Sequence, residues 1–270
     1  MKILIISDVH SNYEALLAVV KAEKHVDQIW CLGDLVDYGP QPAEVVQWVR
    51  HHVRLCVCGN HDFALAFHED CRCGKRFRAL SRASRAMNRA LLSSEQIAYL
   101  QLLPLTEEIV LENCRFRLAH ATPSGDMYRY LTPGVTDIEL GVEFAGVYAD
   151  VVFCGHTHFP MMRKVGSKLF VNPGSVGQPR DGDPRASYAV WDDGVVKLRR
   201  AQYDISQTVN KLRTSELPGA LAERLAQILR DGDADEGNAR RTYRVMGART
   251  VAQSPQLAGL RGKRGRDEQS

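Results

Sequence analysis

Long apolar stretches are missing from this sequence of 270 residues. No run approaches the ~18–20 apolar residues that a membrane-spanning helix needs, so we expect no membrane association. We also expect no secretion signal, because Met1 and Lys2 lead directly into a short apolar segment at residues 3–6. The seven cysteines are odd in number, so we expect reduced thiols in a cytoplasmic protein and not a disulfide framework.

A large excess of charge is absent as well, since the formal net charge is only +3. The charge is nevertheless unevenly distributed: residues 240–270 carry eight basic and two acidic side chains, and the rest of the chain is mildly acidic. Apolar periodicity ends near Asp231. We therefore predict one domain at 1–230 and a disordered basic tail at 231–270. Contact of this tail with nucleic acid is an option, but a solvated tail is favoured.

The first 60 residues alternate between strand-like and helix-like patterns. Apolar segments at 2–7, 28–32 and 53–57 predict buried parallel strands, with helices after Asn12 and from Pro42 to about His52. A helical, charged stretch follows at about 62–103. Short strand-like segments from 107 onward, with turns such as Asp193-Gly194, predict antiparallel hairpins. Further helices are predicted at 137–146, 205–213 and 219–230. Together these patterns indicate an α/β fold.

Five short polar motifs follow predicted strands. The sequence contains no internal repeat. The motifs are Asp8-Val9-His10, Gly33-Asp34-Leu35-Val36-Asp37, Gly59-Asn60-His61-Asp62, His120, and Gly155-His156-Thr157-His158. Ligands of open α/β sheets bind at the carboxyl ends of the strands, so these side chains are expected to converge. Carboxylate, amide and imidazole groups suit Mn, Fe, Co, Ni or Zn, and the lack of thiolates argues against a closed structural zinc site.

The order of these motifs resembles that of the calcineurin-like metallophosphoesterase superfamily, over about residues 3–200. The run at residues 172–180 (NPGSVGQPR) is more similar to the small bacterial and archaeal phosphoesterases of that superfamily. The resemblance implies a four-layer αββα sandwich of two mixed β-sheets flanked by helices, with the helical stretch at 62–103 as a small insertion. It also implies two divalent metal ions, with Mn favoured over Fe, Ni, Co or Zn.

The resemblance also implies a role for each matching residue. Asp8, His10 and His158 would hold one ion, Asn60, His120 and His156 would hold the other, and Asp34 would bridge both. A hydroxide shared by the ions would attack the phosphorus in line. His61 would protonate the leaving group, and Asp62 would orient its ring.

Other residues have weaker assignments. Asp37 is expected to act behind the metal ligands or in a turn. Asn12 is interpreted as a helix cap with a contact to the site, and Arg180 and Tyr38 as substrate-binding residues. Tyr38 stands where related phosphatases carry an arginine that contacts phosphate. Metal binding by Cys71 and Cys73 is disfavoured, because a second pair of ligands is lacking.

The function predicted from these motifs is hydrolysis of phosphate monoesters or diesters, with a small nucleotide-type substrate. Two alternatives stay open: a non-catalytic metal-binding scaffold of the same fold, and a nuclease. The presence of His61 argues against the scaffold, and the nuclease would depend on the 62–103 helices and the basic tail. Nothing in the sequence indicates an oligomeric state.

Overall fold

The computed structural model describes residues 1–232 and contains two five-stranded β-sheets with helices around them. The strands are β1 (Lys2–Ile6), β2 (Gln28–Cys31), β3 (Leu55–Cys56), β4 (Thr106–Leu111), β5 (Cys114–Ala119), β6 (Val151–Phe153), β7 (Met161–Val165), β8 (Lys168–Asn172), β9 (Ala186–Asp192) and β10 (Val195–Ala201). The helices are α1 (Tyr13–Ala22), α2 (Pro42–His52), α3 (Asn60–Phe67), α4 (Arg78–Leu91), α5 (Ser94–Gln101), α6 (Asp137–Glu143), α7 (Ile205–Arg213) and α8 (Gly219–Asp231), with a 3-10 turn at Lys75–Phe77.

The first sheet has the order β10-β9-β1-β2-β3. Strands β1, β2 and β3 are parallel, and β9 joins β1 in antiparallel orientation. Strand β1 is apolar and almost wholly buried, because β2 and β9 cover its edges and both of its faces are packed. The second sheet has the order β4-β5-β6-β8-β7, with parallel pairing around β6.

The two sheets pack face to face over an apolar core. Ile3, Ile5 and Trp30 of the first sheet share one cluster with Phe116 and Phe153 of the second. The rings of Trp30 and Phe116 meet edge to face, with centroids 5.2 Å apart. Helices α1 and α2 pack on the outer face of the first sheet, and α6 packs beside the second. The predicted α/β sandwich of two mixed sheets is therefore confirmed.

Most predicted elements are present, and the hairpins β4–β5, β7–β8 and β9–β10 are antiparallel as expected. Two predicted elements are shorter. The strand expected at 53–57 is ladder-paired only over Leu55–Cys56, and the helix expected at 137–146 ends at Glu143. The second helix ends early because the chain turns at Gly146, which adopts a φ of +76°.

A C-terminal helical hairpin completes the described chain. Helices α7 and α8 pack against each other, and their apolar faces join a cluster with Tyr38, Phe77 and Leu80. The hairpin thus supports the loop after β2 and the helical stretch at 60–101. Within residues 1–232, no helix combines the length and the hydropathy needed to cross a bilayer. The described residues end at Gly232, so the predicted tail lies outside them from residue 233 onward.

Candidate active site

The polar motifs converge at the carboxyl ends of the strands, as the sequence predicted. Seven side chains closely follow β1, β2, β3, β5 or β6, and all of them are buried. They are Asp8, His10, Asp34, Asn60, His120, His156 and His158. Two glycines of the motifs allow the loops to approach closely. A Cβ on Gly59 would lie 2.1 Å from Asp34 Oδ1, and one on Gly155 would lie 1.9 Å from Ser7 Oγ.

A first group of potential ligands consists of Asp8, His10, Asp34 and His158. The Nε2 atoms of His10 and His158 are 3.2 Å apart, and His158 Nε2 lies 3.4 Å from Asp8 Oδ1. Each of these imidazoles is hydrogen-bonded through Nδ1 to a backbone carbonyl. The partner of His10 is Val36, and the partner of His158 is Gln178. The Nδ1 atoms therefore carry the protons, and both Nε2 atoms offer lone pairs.

A second group consists of Asp34, His120 and His156, with the amide of Asn60 among them. Asn60 Oδ1 lies 3.0 Å from His120 Nε2 and 3.1 Å from His156 Nδ1. The amide is oriented by its Nδ2, which donates to the Cys71 carbonyl at 2.6 Å. The structure thus brings together the residues that were predicted as the second ligand set.

Asp34 lies between the two groups. Its Oδ2 is 3.7 Å from His10 Nε2 and 3.3 Å from His120 Nε2, whereas its Oδ1 accepts from the His61 amide at 2.9 Å. One carboxylate oxygen is therefore committed to the backbone and the other faces both groups.

The donor atoms fit divalent cations. Asp8 Oδ1 is buried and lacks a hydrogen-bond partner among the described residues, and two imidazole lone pairs face each other beside it. An orphaned buried carboxylate oxygen and opposed lone pairs are both unfavourable unless a positive charge lies between them. Imidazole and carboxylate together suit transition-metal ions.

Burial and charge set the protonation of these rings. Burial lowers the pKa of His10 to about 3 and brings the pKa values of His156 and His158 well below the ordinary value. Burial also lowers the pKa of His120, but the Asp34 carboxylate outweighs it and raises that pKa to about 10. A cation bound here would therefore displace a proton from His120, so its affinity should rise with pH.

The backbone of the site is strained. Five of the seven residues have a positive φ: Asp8, His10, Asp34, His156 and His158, with values from 46° to 67°. This region is uncommon for residues other than glycine, and such residues occur where the surroundings hold a functional geometry in place.

His61 lies at the edge of the two groups, with its ring 5.1 Å from that of His10. Its Nδ1 contacts Asp37 Oδ2 at 2.7 Å, and its Nε2 points toward the Tyr38 hydroxyl at 3.5 Å. Burial lowers the pKa of His61, but Asp34 and Asp37 reverse this effect and raise it to about 9. The ring therefore carries a proton at neutral pH.

The prediction that Asp62 orients the His61 ring is wrong. Asp62 is the third residue of α3, and its carboxylate accepts from the amides of Asp34, Leu35 and Gly59 at 2.8 to 3.0 Å. It therefore caps α3 and ties this helix to the loop after β2. Asp37 holds the ring instead, in agreement with the expectation that it acts behind the ligands.

Asn12 lies directly before α1, and its predicted contact with substrate stays a prediction. Its Oδ1 accepts from Ala15 N and Thr208 Oγ1, and its Nδ2 donates to the Gly177 carbonyl and the Tyr203 hydroxyl. All four hydrogen-bonding positions of the amide are thus used within the protein. Its predicted role as the cap of α1 is confirmed.

Sequence reasoning missed the support that α4 gives to the loop after β2. Asn88 Oδ1 accepts from the Asp37 amide at 2.8 Å, Ser84 Oγ accepts from the Tyr38 amide at 2.9 Å, and Arg85 pairs with Asp37 Oδ2. Ser81, Ser84 and Asn88 are buried on one face of α4. Buried polar residues at a spacing of three and four were the signal that could have revealed this contact.

Arg180 and the Cys71–Cys73 segment lie near the site. The Arg180 guanidinium lies over the Phe77 ring at 4.0 Å and over the Tyr38 ring at 5.8 Å. Cys71 and Cys73 are buried free thiols, and neither belongs to a group of potential metal ligands among the described residues.

Comparison with known proteins now assigns the fold. The family model of the calcineurin-like phosphoesterase superfamily domain matches residues 1–193. The chain belongs to this superfamily. The resemblance in the motifs is therefore confirmed, and the chain is a phosphoric ester hydrolase by family.

Relatives within the superfamily include archaeal and bacterial proteins. An uncharacterized protein of Methanocaldococcus jannaschii is 33% identical over 243 residues, covering 83% of this chain and 96% of its own. The phosphodiesterase YfcE of Escherichia coli is 25% identical over 213 residues, covering 73% and 91%. The crystal structure of a metallophosphoesterase from Sphaerobacter thermophilus is 33% identical, covers 86% of this chain and 99% of its own, and superposes with a TM-score of 0.71.

Proposed function

We propose that this chain hydrolyses phosphate monoesters or diesters with two divalent cations. The observation that carries the proposal is the position of Asp34 Oδ2, which faces His10 in one ligand group and His120 in the other at 3.7 and 3.3 Å. A shared carboxylate oxygen between two sets of lone pairs is the arrangement that a pair of adjacent cations requires.

Seven side chains would hold the cations. Asp8, His10 and His158 would bind one, Asn60, His120 and His156 the other, and Asp34 both. When bound, the cations would polarise the phosphoryl group and lower the pKa of water. The backbone carbonyls on the imidazole nitrogens fix the ring orientations in advance, so little rearrangement is needed on binding.

His61 supplies a proton at the leaving group. Asp37 accepts from Nδ1, which leaves the protonated Nε2 as the free donor on the side of the ring that faces the Tyr38 hydroxyl. The Asp37–Arg85 ion pair and the hydrogen bonds from α4 keep this carboxylate in place. General acid catalysis by such a ring matters most when the leaving group is a poor one.

Arg180 would bind the non-bridging oxygens of the phosphate. Burial dominates the pKa values of three ligands, because it raises that of Asp8 and lowers those of His10 and His158. The Arg180 charge acts to lower all three pKa values, so the guanidinium lies within electrostatic range of the ligand groups. The guanidinium has no carboxylate partner among the described residues, and Gln178 Oε1 orients it at 2.6 Å from Nη2. Tyr38 contributes by supporting both His61 and Arg180.

The substrate proposed is a small nucleotide-type ester, with Mn²⁺ as the cation and the cytoplasm as the compartment. A stretch of 111 residues is 33% identical to a symmetrical bis(5'-nucleosyl)-tetraphosphatase of Psychromonas ingrahamii, covering 39% of each chain. This similarity favours nucleotide substrates over phosphopeptides, and the phosphodiesterase relative favours diesters. The seven cysteines are all free, as expected in a reducing compartment.

The first experiment is reconstitution. Protein stripped with a chelator should be inactive toward p-nitrophenyl phosphate, bis-p-nitrophenyl phosphate and dinucleoside tetraphosphates, and added Mn²⁺ should restore activity toward at least one of them. Metal content should reach two equivalents per chain. Two bound equivalents with no hydrolysis of any ester would support a metal-binding scaffold and refute the proposal.

The second experiment tests the proton donor. His61→Ala should lower activity about 10²–10⁴-fold for alkyl esters and much less for p-nitrophenyl esters, because p-nitrophenolate leaves without protonation. His68→Ala, an exposed histidine at the end of α3, is the matched control and should leave both activities unchanged. An equal loss for both ester types would contradict the role of His61 as an acid.

A further inference from the structure

Tyr130 is a large apolar side chain that is exposed directly beside the ligand groups. Its ring centroid lies 4.1 Å from that of His156, at an interplanar angle of 38°, and the residue is 42% exposed. One face of the ring thus covers a potential metal ligand, while a large part of the side chain is open to solvent. No hydrogen bond of its hydroxyl occurs among the described residues.

The loop that carries Tyr130 is anchored on both sides. Met127 and Leu131 are buried, and Leu131 belongs to the apolar cluster under the second sheet. The Tyr128 carbonyl accepts from His156 Nε2 at 3.3 Å, and the Arg72 guanidinium lies 4.4 Å over the Tyr128 ring. Tyr130 is therefore presented by a supported segment and needs little ordering when it binds a ligand.

Two guanidinium groups lie in the neighbourhood of Tyr130. Arg72 stacks on Tyr128, and Arg180 is close enough to Tyr130 that its charge opposes the rise in the pKa of Tyr130 caused by burial. An aromatic surface next to guanidinium groups and a cation site matches a ligand that combines a flat ring with phosphate.

We propose that Tyr130 is the platform on which the nucleobase of the substrate stacks while its phosphate occupies the two-cation centre. This inference rests on the proposed function, since the phosphate must be held at the ligand groups. It adds a specificity-determining residue that distinguishes esters of nucleosides from esters of small alcohols. Stacking tolerates every base, so the platform selects for a nucleoside and not for a particular base.

The test compares two stable ligands by calorimetry on the full chain loaded with Mn²⁺. One is the phosphonate analogue of adenosine 5'-monophosphate, with a methylene group in place of the 5' oxygen, and the other is methylphosphonate. The wild type should bind the nucleoside phosphonate roughly tenfold more tightly. Tyr130→Ala should reduce this preference to about twofold or less, and Tyr130→Phe should retain it because the ring is preserved.

Tyr148→Ala is the matched control, because Tyr148 is 78% exposed and precedes the amino end of β6, whereas the site lies at the carboxyl end of that strand. It should keep the full preference. An unchanged preference in Tyr130→Ala would overturn the platform. Equal weakening of both ligands would also overturn it, because Tyr130 would then only cover His156. Failure of the wild type to bind methylphosphonate would instead refute the cation centre, and the platform with it.

Discussion

The site has two regions: a floor, formed by the seven potential metal ligands, and a rim of partly exposed side chains on irregular loops. Each floor residue is at most 4% exposed and is hydrogen-bonded to a backbone group. The rim is Arg72, Tyr128, Tyr130 and Arg180. Floor residues have fixed orientations because carbonyls such as those of Leu32 and Val36 hold their rings. Rim side chains are held mainly by stacking, and Arg180 also donates to Gln178 Oε1. We therefore expect floor substitutions to abolish chemistry and substitutions of the aromatic rim residues to alter selectivity.

The largest effect should come from Asp34→Asn. Loss of the shared charge removes the contact common to both ligand groups, so activity should fall about 10³-fold or more, and the second equivalent of metal should be lost. The loss of activity is measured under saturating Mn²⁺, and the loss of metal is measured by mass spectrometry. Asp137→Asn, at the exposed start of α6, is the control. Two tightly bound equivalents in Asp34→Asn would show that the floor does not depend on a shared ligand.

A second comparison separates Asp37 from Asp62. Asp37→Asn should lower activity about 10–100-fold, with a larger loss for alkyl than for p-nitrophenyl esters, because His61 loses its orienting partner. Asp62→Asn should reduce activity less but lower the free energy of unfolding by about 2–3 kcal/mol, since three amides lose a charged acceptor. Urea titration and ester kinetics of both variants test this. The reverse pattern would restore Asp62 as the residue that orients the ring.

Metal binding should stabilise the floor. At a Mn²⁺ concentration of about 100 times the dissociation constant, each bound ion contributes about 2.7 kcal/mol. For a chain of this size, that raises Tm by roughly 5–10 °C. Thermal unfolding of the chelated protein with and without Mn²⁺ measures the shift, and Asp34→Asn should reduce it. A Tm that does not respond to Mn²⁺ would contradict a cation site at the floor.

The smallest effect should come from Arg72→Ala. The exposed stacking contact with Tyr128 is worth about 0.5–1 kcal/mol, so Tm should change by only a few degrees and activity toward p-nitrophenyl esters by about fivefold at most. Arg76→Ala, on the adjacent turn, is an exposed control. A loss of activity as large as that of Asp34→Asn would show that the rim takes part in the chemistry.

The floor could be predicted from the sequence because parallel strands end at one edge of a sheet. Asp8, Asp34, Asn60 and His156 each follow a strand, so their order alone places them together. The partner of His61 could not be predicted in that way. Asp62 is its neighbour in the chain, but α3 begins at Asn60, and successive side chains on a helix point in different directions. Asp62 therefore faces the backbone, and Asp37 arrives from another loop.

The rim was beyond prediction for a different reason. The segment from 120 to 136 has no apolar periodicity, so nothing in its letters indicates that Tyr130 returns to pack against His156. Arg72 meets Tyr128 across 56 positions of the chain through a contact between side chains, without a strand or helix to set the register. Such contacts depend on loop conformation, which local propensity does not determine.

The left-handed backbone at Asp8, His10, Asp34, His156 and His158 has an evolutionary consequence. Glycine adopts this conformation without a steric penalty, whereas each aspartate or histidine pays about 1 kcal/mol or more to remain there. Mutation to glycine at these positions would therefore remove backbone strain, but it would also remove a proposed metal ligand and abolish catalysis. Selection for heat resistance in the presence of a chelator should therefore favour glycine at these positions more than selection with Mn²⁺ present, because bound cations stabilise the same residues.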